Sequence, residues 1–285
     1  MAVIAGLAFL LLGSVGARLG GPVAQAATLS TSTPGYRVHM WMQTTSSALD
    51  APVTATGSGV VDLRDHAISM SLAIDLGDDA QVIQQLGSST MHLDMVLRGA
   101  TAYVKLPSSL TSALGASRPW VELDLAKLSG IPGLSSLTDG PGTSDPSEAL
   151  QMLRSASGSV ANLGQQRVDG VETTHYRLNM SLARFADDVP ASERGAVKQV
   201  LSQLSQSLPT GGFPVDVWVD GDHLIRRVVM SIDLSLPTGA NMQETVISDY
   251  SDYGPQSPPA TPPANAVVDL SDLAGSTGSQ PGPTS

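Results

Sequence analysis

Pro214-Val215-Asp216-Val217-Trp218-Val219-Asp220-Gly221-Asp222-His223-Leu224, continued by Ile225-Arg226-Arg227-Val228-Val229-Met230-Ser231-Ile232-Asp233-Leu234, is the stretch that decides the fold. Val215, Val217 and Val219 alternate with Asp216 and Asp220, and Val228, Met230, Ile232 and Leu234 resume the same period after the break. Successive side chains of a strand point to opposite faces, so this period predicts two strands with one buried and one solvated face. Asp220-Gly221 separates them, and Asp-Gly supplies the positive φ that a tight type I′ turn demands. Strands joined so tightly run antiparallel.

The same period recurs upstream. Tyr36, Val38, Met40 and Met42 alternate with Arg37, His39 and Gln43, and Ile68, Met70, Leu72 and Ile74 alternate with Ser69, Ser71 and Asp75. Met91, Leu93, Met95 and Leu97 alternate with His92, Asp94 and Arg98, and Val121, Leu123 and Leu125 with Glu122 and Asp124. Asp169-Gly170 predicts a further tight hairpin, and Arg64-Asp65 and Arg98-Gly99 two more. Gly57 and Gly59, inside a strand-like run, predict a bulge or a sharp bend.

Helices are fewer. Asp145-Pro146-Ser147-Glu148 offers an N-cap, a first-turn proline and a capping-box glutamate, so a helix is predicted over about 145–156. Val197, Val200, Leu201, Leu204 and Leu208 fall at helical spacing and predict another over 192–207, with a short one at 181–187 before it. The Gly-, Pro- and Ser-rich stretch 130–144 reads as a loop. The order is then six strands, a helix, two strands, one or two helices and about three strands. That order predicts an α+β fold: a strongly curved antiparallel sheet of about 11 strands, a half-barrel, with helices on its concave face.

Composition narrows the function. A net charge of −11 over 285 residues argues against nucleic acid and against a polybasic grip on anionic lipid. The absence of cysteine excludes disulfides, thiolate metal sites, cysteine nucleophiles and an acylated lipobox. Aromatics make up 4% and methionines number 10, so the interior is filled by aliphatic and thioether side chains. No G-x-S-x-G, Walker A, G-x-G-x-x-G or H-E-x-x-H motif occurs, and the five histidines are scattered. The expectation is a non-enzymatic protein without a cofactor or metal.

Val3 to Ala17 form an apolar run, followed by Gly20-Gly21-Pro22 and then Ala24-Gln25-Ala26. This reads as an export signal over 1–26, either cleaved at the A-x-A pattern or retained as an anchor. The folded domain is expected over 33–253 and a Pro/Gly/Ser-rich tail over 254–285, in which Val267-Val268-Asp269-Leu270 is a short apolar island suited to an edge strand.

Several segments in this order carry a family resemblance. They are Tyr103-Val104-Lys105-Leu106-Pro107, Arg118-Pro119-Trp120-Val121-Glu122-Leu123-Asp124, Val168-Asp169-Gly170-Val171 with His175-Tyr176, the Pro214–Arg227 stretch, and Ser248-Asp249-Tyr250-Ser251-Asp252-Tyr253-Gly254. Together they resemble the LppX/LprG-type envelope lipoprotein family, whose members adopt the LolA/LolB-like half-barrel. The resemblance spans about residues 35–260 and departs from the family in lacking the lipidated cysteine. It implies non-covalent carriage of a lipid or lipidated molecule, in a cavity between sheet and helices, outside the cytoplasmic membrane.

The residues expected to line such a pocket follow from the inward strand phases and the apolar helix faces. They are Val38, Met40 and Met42; Met70, Leu72 and Ile74; Leu93, Met95 and Leu97; and Val104. Later come Leu150 and Leu153, Leu178 and Met180, Val200 and Leu204, then Val217, Val228 and Met230. Methionine suits a binding wall because its thioether adapts to varied shapes. Asp216, Asp220 and Asp222 lack the ligand spacing of a calcium loop and read as a charged outer face meeting a turn, and Asp75, Asp78 and Asp79 as a solvated loop. Trp41, Trp120 and Trp218 fall on outward or boundary phases and are expected to pack a helix against the sheet's other side, the alternative being contact with a membrane or partner. The expected partner is a lipid or lipidated molecule, with transient contact to a membrane or envelope protein, and the chain is expected to be a monomer. The alternative from another class is an envelope signalling or interaction module with the same fold and a filled cavity.

Overall fold

Period-two alternation becomes a single open sheet of twelve strands in the computed structural model, which describes residues 21–47, 49, 51–77, 88–108, 111, 118–124, 160–180, 213–235 and 240–269. A helix, α1 (Pro22–Ser32), leads into β1 (Gly35–Ser46), β2 (Val53–Asp62), β3 (Ala67–Asp75), β4 (Thr90–Arg98), β5 (Thr101–Lys105) and β6 (Trp120–Asp124). The second half holds β7 (Ala161–Val168), β8 (Val171–Met180), β9 (Phe213–Asp220), β10 (Ile225–Ser235), β11 (Asn241–Ser251) and the short β12 (Val267–Asp269). The spatial order is β12-β6-β5-β4-β3-β2-β1-β11-β10-β9-β8-β7. Two antiparallel meanders, β1–β6 and β7–β11, are thus sealed along the β1–β11 ladder, from Arg37 opposite Ser251 to Ser46 opposite Met242. The sheet does not close on itself, as the expected half-barrel requires.

The apolar island adds the twelfth strand, and it runs parallel to β6, Val268 opposite Val121. It reaches that edge because residues 252–266 cross the end of the sheet. Gly254 N–H donates to Gly35 O at 2.9 Å, Arg98 Nη1 to Pro259 O at 3.5 Å, and Arg118 Nη1 to Ala264 O at 3.4 Å and to Val267 O. The Pro/Ser-rich stretch, expected as a linker, is laid across the strand ends as a strap.

Two local expectations are corrected. Asp169 and Gly170 take φ 47° and 83°, as a type I′ turn needs. At Asp220-Gly221, however, the left-handed residue is His223, φ 60°. The loop is longer because the Asp220 carboxylate organises it: Oδ1 accepts the N–H of Asp222 at 2.9 Å and of Leu224 at 2.8 Å. Gly57 and Gly59 form no bulge, since β2 keeps unbroken register with both β1 and β3. They make room instead. A Cβ on Gly57 would lie 2.5 Å from Leu72 Cδ2, and one on Gly59 2.9 Å from Met70 Cε. Side chains of β3 therefore lie over β2 and enlarge the apolar surface.

The core forms on one face of the sheet. Val38, Met40, Met70, Leu178, Val215, Val217, Val228, Met230 and Val246 are buried there in one cluster, and α1 adds Val23, Ala26 and Ala27. Each such aliphatic side chain contributes about 1.5–3 kcal/mol of transfer free energy. The Ile225 N–H donates to Ser30 Oγ at 2.9 Å, fixing α1 over β9 and β10. The expected helices at 145–156, 181–187 and 192–207, and the loop 130–144, lie outside the described residues.

Candidate apolar binding face

Register carries the apolar face across the sheet without a break. One row runs Met91, Ile74, Ala55, Met42, Val246, Met230, Val215, Leu178 over eight strands. A parallel row runs Val121, Val104, Met95, Met70, Gly59, Val38, Tyr250. Period two puts every member of a row on the same side.

Most of the expected lining residues meet here. Val38, Met40, Met70, Leu178, Val217, Val228 and Met230 are buried in the core cluster, with Met42, Leu72 and Met95 half-buried against it. Ile74, Leu93, Leu97 and Val104 are half-buried on the same face. Met180 pairs with Phe213 at the end of β8. Leu150, Leu153, Val200 and Leu204 lie outside the described residues.

Strand β11 was not foreseen as part of the site, yet it sits at the centre. Met242, Glu244, Val246, Ser248 and Tyr250 all share the apolar phase. The signal was the spacing of Met242, Val246 and Tyr250, obscured by the polar residues standing between them. Glu244 is only 3% exposed, and its Oε1 has no hydrogen-bond partner among the described residues. It stands opposite Thr44 of β1 and Ile232 of β10, and burial pushes its carboxyl pKa up. Beyond Met242, at the end of β1, β10 and β11, lies a recess of about 410 Å³ lined in part by Ser46, Leu234, Asn241 and Met242.

Three phenols close the other end. The Tyr36 ring meets Tyr250 edge-on at 5.6 Å and Tyr253 at 5.8 Å. Tyr253 donates to Ile225 O, and the Arg226 guanidinium lies 5.4 Å from its ring. Desolvation pushes Tyr36 up to about 12 and raises Tyr250 and Tyr253 as well.

The opposite face is the more polar one and holds the acidic residues singled out from the sequence, beside Trp41, Ile247 and Val229. Asp216 and Asp220 lie on this charged outer face, Asp220 at its turn, and both are buried. Asp216 receives Arg177 through Nε at 2.9 Å and Nη2 at 3.0 Å, while Asp220 binds Arg226 and its own turn. Only Asp222 is exposed, so the three carboxylates serve separate tasks. Trp218 lies flat on His175, centroids 4.1 Å apart, and donates to Gln166 Oε1 at 2.7 Å.

Fold and site together define a class: an open, curved, mostly antiparallel sheet whose one greasy face carries a buried carboxyl group. No family model matches the chain. An uncharacterized 31.2 kDa protein of the rplA-rplJ intergenic region of Streptomyces griseus is 30% identical over 190 residues, which cover 64% of this chain and 58% of that protein. The chain therefore spans less than two thirds of that relative. Among solved structures it is similar to the lipoprotein LppX of Mycobacterium tuberculosis, at 15% identity and a TM-score of 0.41, covering 83% of this chain and 94% of that one. It is also similar to LprF from Mycobacterium bovis, at 15% identity and a TM-score of 0.42, covering 87% and 99%. Among the described residues no helix is long and apolar enough to cross a membrane.

Proposed function

We propose that this protein binds a lipid or similar apolar ligand against its concave face and carries it, without chemistry, in the envelope outside the cytoplasmic membrane. The observation that carries this reading is the unbroken apolar row from Met91 to Leu178. An acyl chain of about 16 methylenes gains on the order of 13 kcal/mol gross from leaving water, at roughly 0.8 kcal/mol each. Loss of translational and chain freedom removes several kcal/mol of that and leaves a useful affinity without any ion pair. The mechanism is sequestration by a monomer, with transient contact to a membrane or an envelope partner for loading and release.

Native mass spectrometry of the protein purified from its own host tests this. Co-purifying lipid at about one per chain supports it. Protein that arrives empty and takes up no fluorescent fatty acyl probe overturns it, and leaves a filled core serving an interaction module.

A further inference from the structure

We infer that Glu244 is the polar anchor of the ligand site and that it takes an uncharged head group donating a hydrogen bond, an alcohol hydroxyl being the simplest. This rests on the reading of the concave face as a ligand surface. A buried carboxyl oxygen given no partner is a standing cost to the fold, and Glu244 is 3% exposed with its Oε1 unsatisfied among the described residues. Its place in the register is equally specific. It interrupts the apolar face between Met242 and Val246, opposite Ile232, one row inward from the recess at Leu234 and Met242. A tail on the apolar rows and a head near the recess brings a donor to this oxygen.

The surroundings select the head group. Burial pushes the Glu244 carboxyl toward its neutral form, which accepts from and donates to a hydroxyl while leaving no net charge among Ile232, Met242 and Val246. An anionic head group gains no countercharge from Glu244, and a methyl ester offers it no donor.

The probes are a monoacylglycerol, the fatty acid of the same chain length, its methyl ester and the matching alkylamine. Each is titrated against the wild-type chain, Glu244→Gln and Glu244→Leu. The wild type binds the monoacylglycerol about tenfold more tightly than the methyl ester, as one hydrogen bond to a buried acceptor allows. Glu244→Gln keeps most of that preference. Glu244→Leu abolishes it while holding the methyl ester at its wild-type affinity. A preference that survives Glu244→Leu, or an amine bound more tightly than the alcohol, overturns the anchor and leaves the apolar face standing. Failure of every probe to bind any form overturns both.

Helix α1 carries a second, independent inference: residues 22–32 stay in the mature protein, and the Ala24-Gln25-Ala26 pattern is not where the chain is cut. Val23, Ala26 and Ala27 are fully buried and Ala24 nearly so, while Ser30 Oγ accepts the Ile225 N–H. Cleavage after Ala26 removes three of those core residues and truncates the helix that covers β9 and β10. N-terminal sequencing and intact mass of the exported protein decide the matter. A first residue at or before Pro22 supports the inference, and one at Ala27 or later overturns it.

Discussion

Asp216 Oδ1 lies 2.6 Å from His175 Nε2 on the polar face of the sheet, while both oxygens of the same carboxylate receive Arg177. Arg177 faces Asp216 directly in the β8–β9 register, and His175 faces Trp218, whose indole covers it. One buried acid thus ties two strands on the face opposite the apolar rows. Asp216→Ala leaves Arg177 and a buried His175 without their acceptor, which costs about 2–3 kcal/mol. The check is chemical denaturation, followed by Trp218 emission, which shifts to the red as the stack loosens.

The two glycines of β2 separate by what stands above them. A Cβ on Gly59 lies 2.7 Å from Ser69 O, a backbone atom that cannot yield, whereas one on Gly57 first meets the end of the Leu72 side chain. Gly59→Ala therefore costs about 1–3 kcal/mol and Gly57→Ala distinctly less. Thermal melts of the two variants, side by side, give the order.

Glu244 sets a pH dependence with a definite sign. Its folded-state pKa is raised by burial, so between the ordinary glutamate range and that raised value the folded chain holds a proton that the unfolded chain has lost. Stability falls as pH rises through this window. Glu244→Gln removes the loss: its melting temperature exceeds the wild type's at pH 8 and matches it at pH 4. Equal melting temperatures at both pH values contradict the burial effect.

The phenols titrate late. Of the five tyrosines, Tyr36, Tyr250 and Tyr253 are held protonated by desolvation, Tyr36 up to about 12. The folded state keeps these protons after the unfolded state has released them, so the associated stability is intact below pH 10 and drains away above it. Ultraviolet titration at increasing pH shows the phenolates of these three residues appearing in step with unfolding.

The turn after β9 answers to Asp220. Asp220→Ala frees the N–H groups of Asp222 and Leu224 and the Arg226 guanidinium, at a cost of about 1–3 kcal/mol. Asp220→Asn recovers part of the loss, since its amide oxygen still accepts from the turn. Denaturant midpoints of the two variants measure the difference.

Much of the fold was legible in the residues because a half-buried strand writes its two faces in alternation. The Val215–Val219 and Val228–Leu234 runs, the Asp169-Gly170 turn and the inward phase of Met40, Met70 and Met230 could all be read locally. What alternation cannot state is which strands become neighbours. The β1–β11 ladder joins residues some two hundred positions apart, and the parallel docking of Val267–Asp269 on β6 depends on a strap crossing the strand ends. The tertiary fold also decided the meaning of single residues. Glu244 reads as a solvent-facing acid by type, yet register sets it among Thr44, Ile232 and Val246 on the greasy side. Ala24 and Ala26 read as a processing pattern, yet packing makes them helix core. Side-chain periodicity is a property of the local backbone and is present in the sequence; partner, register and burial arise from long-range contacts, and only the folded chain contains them.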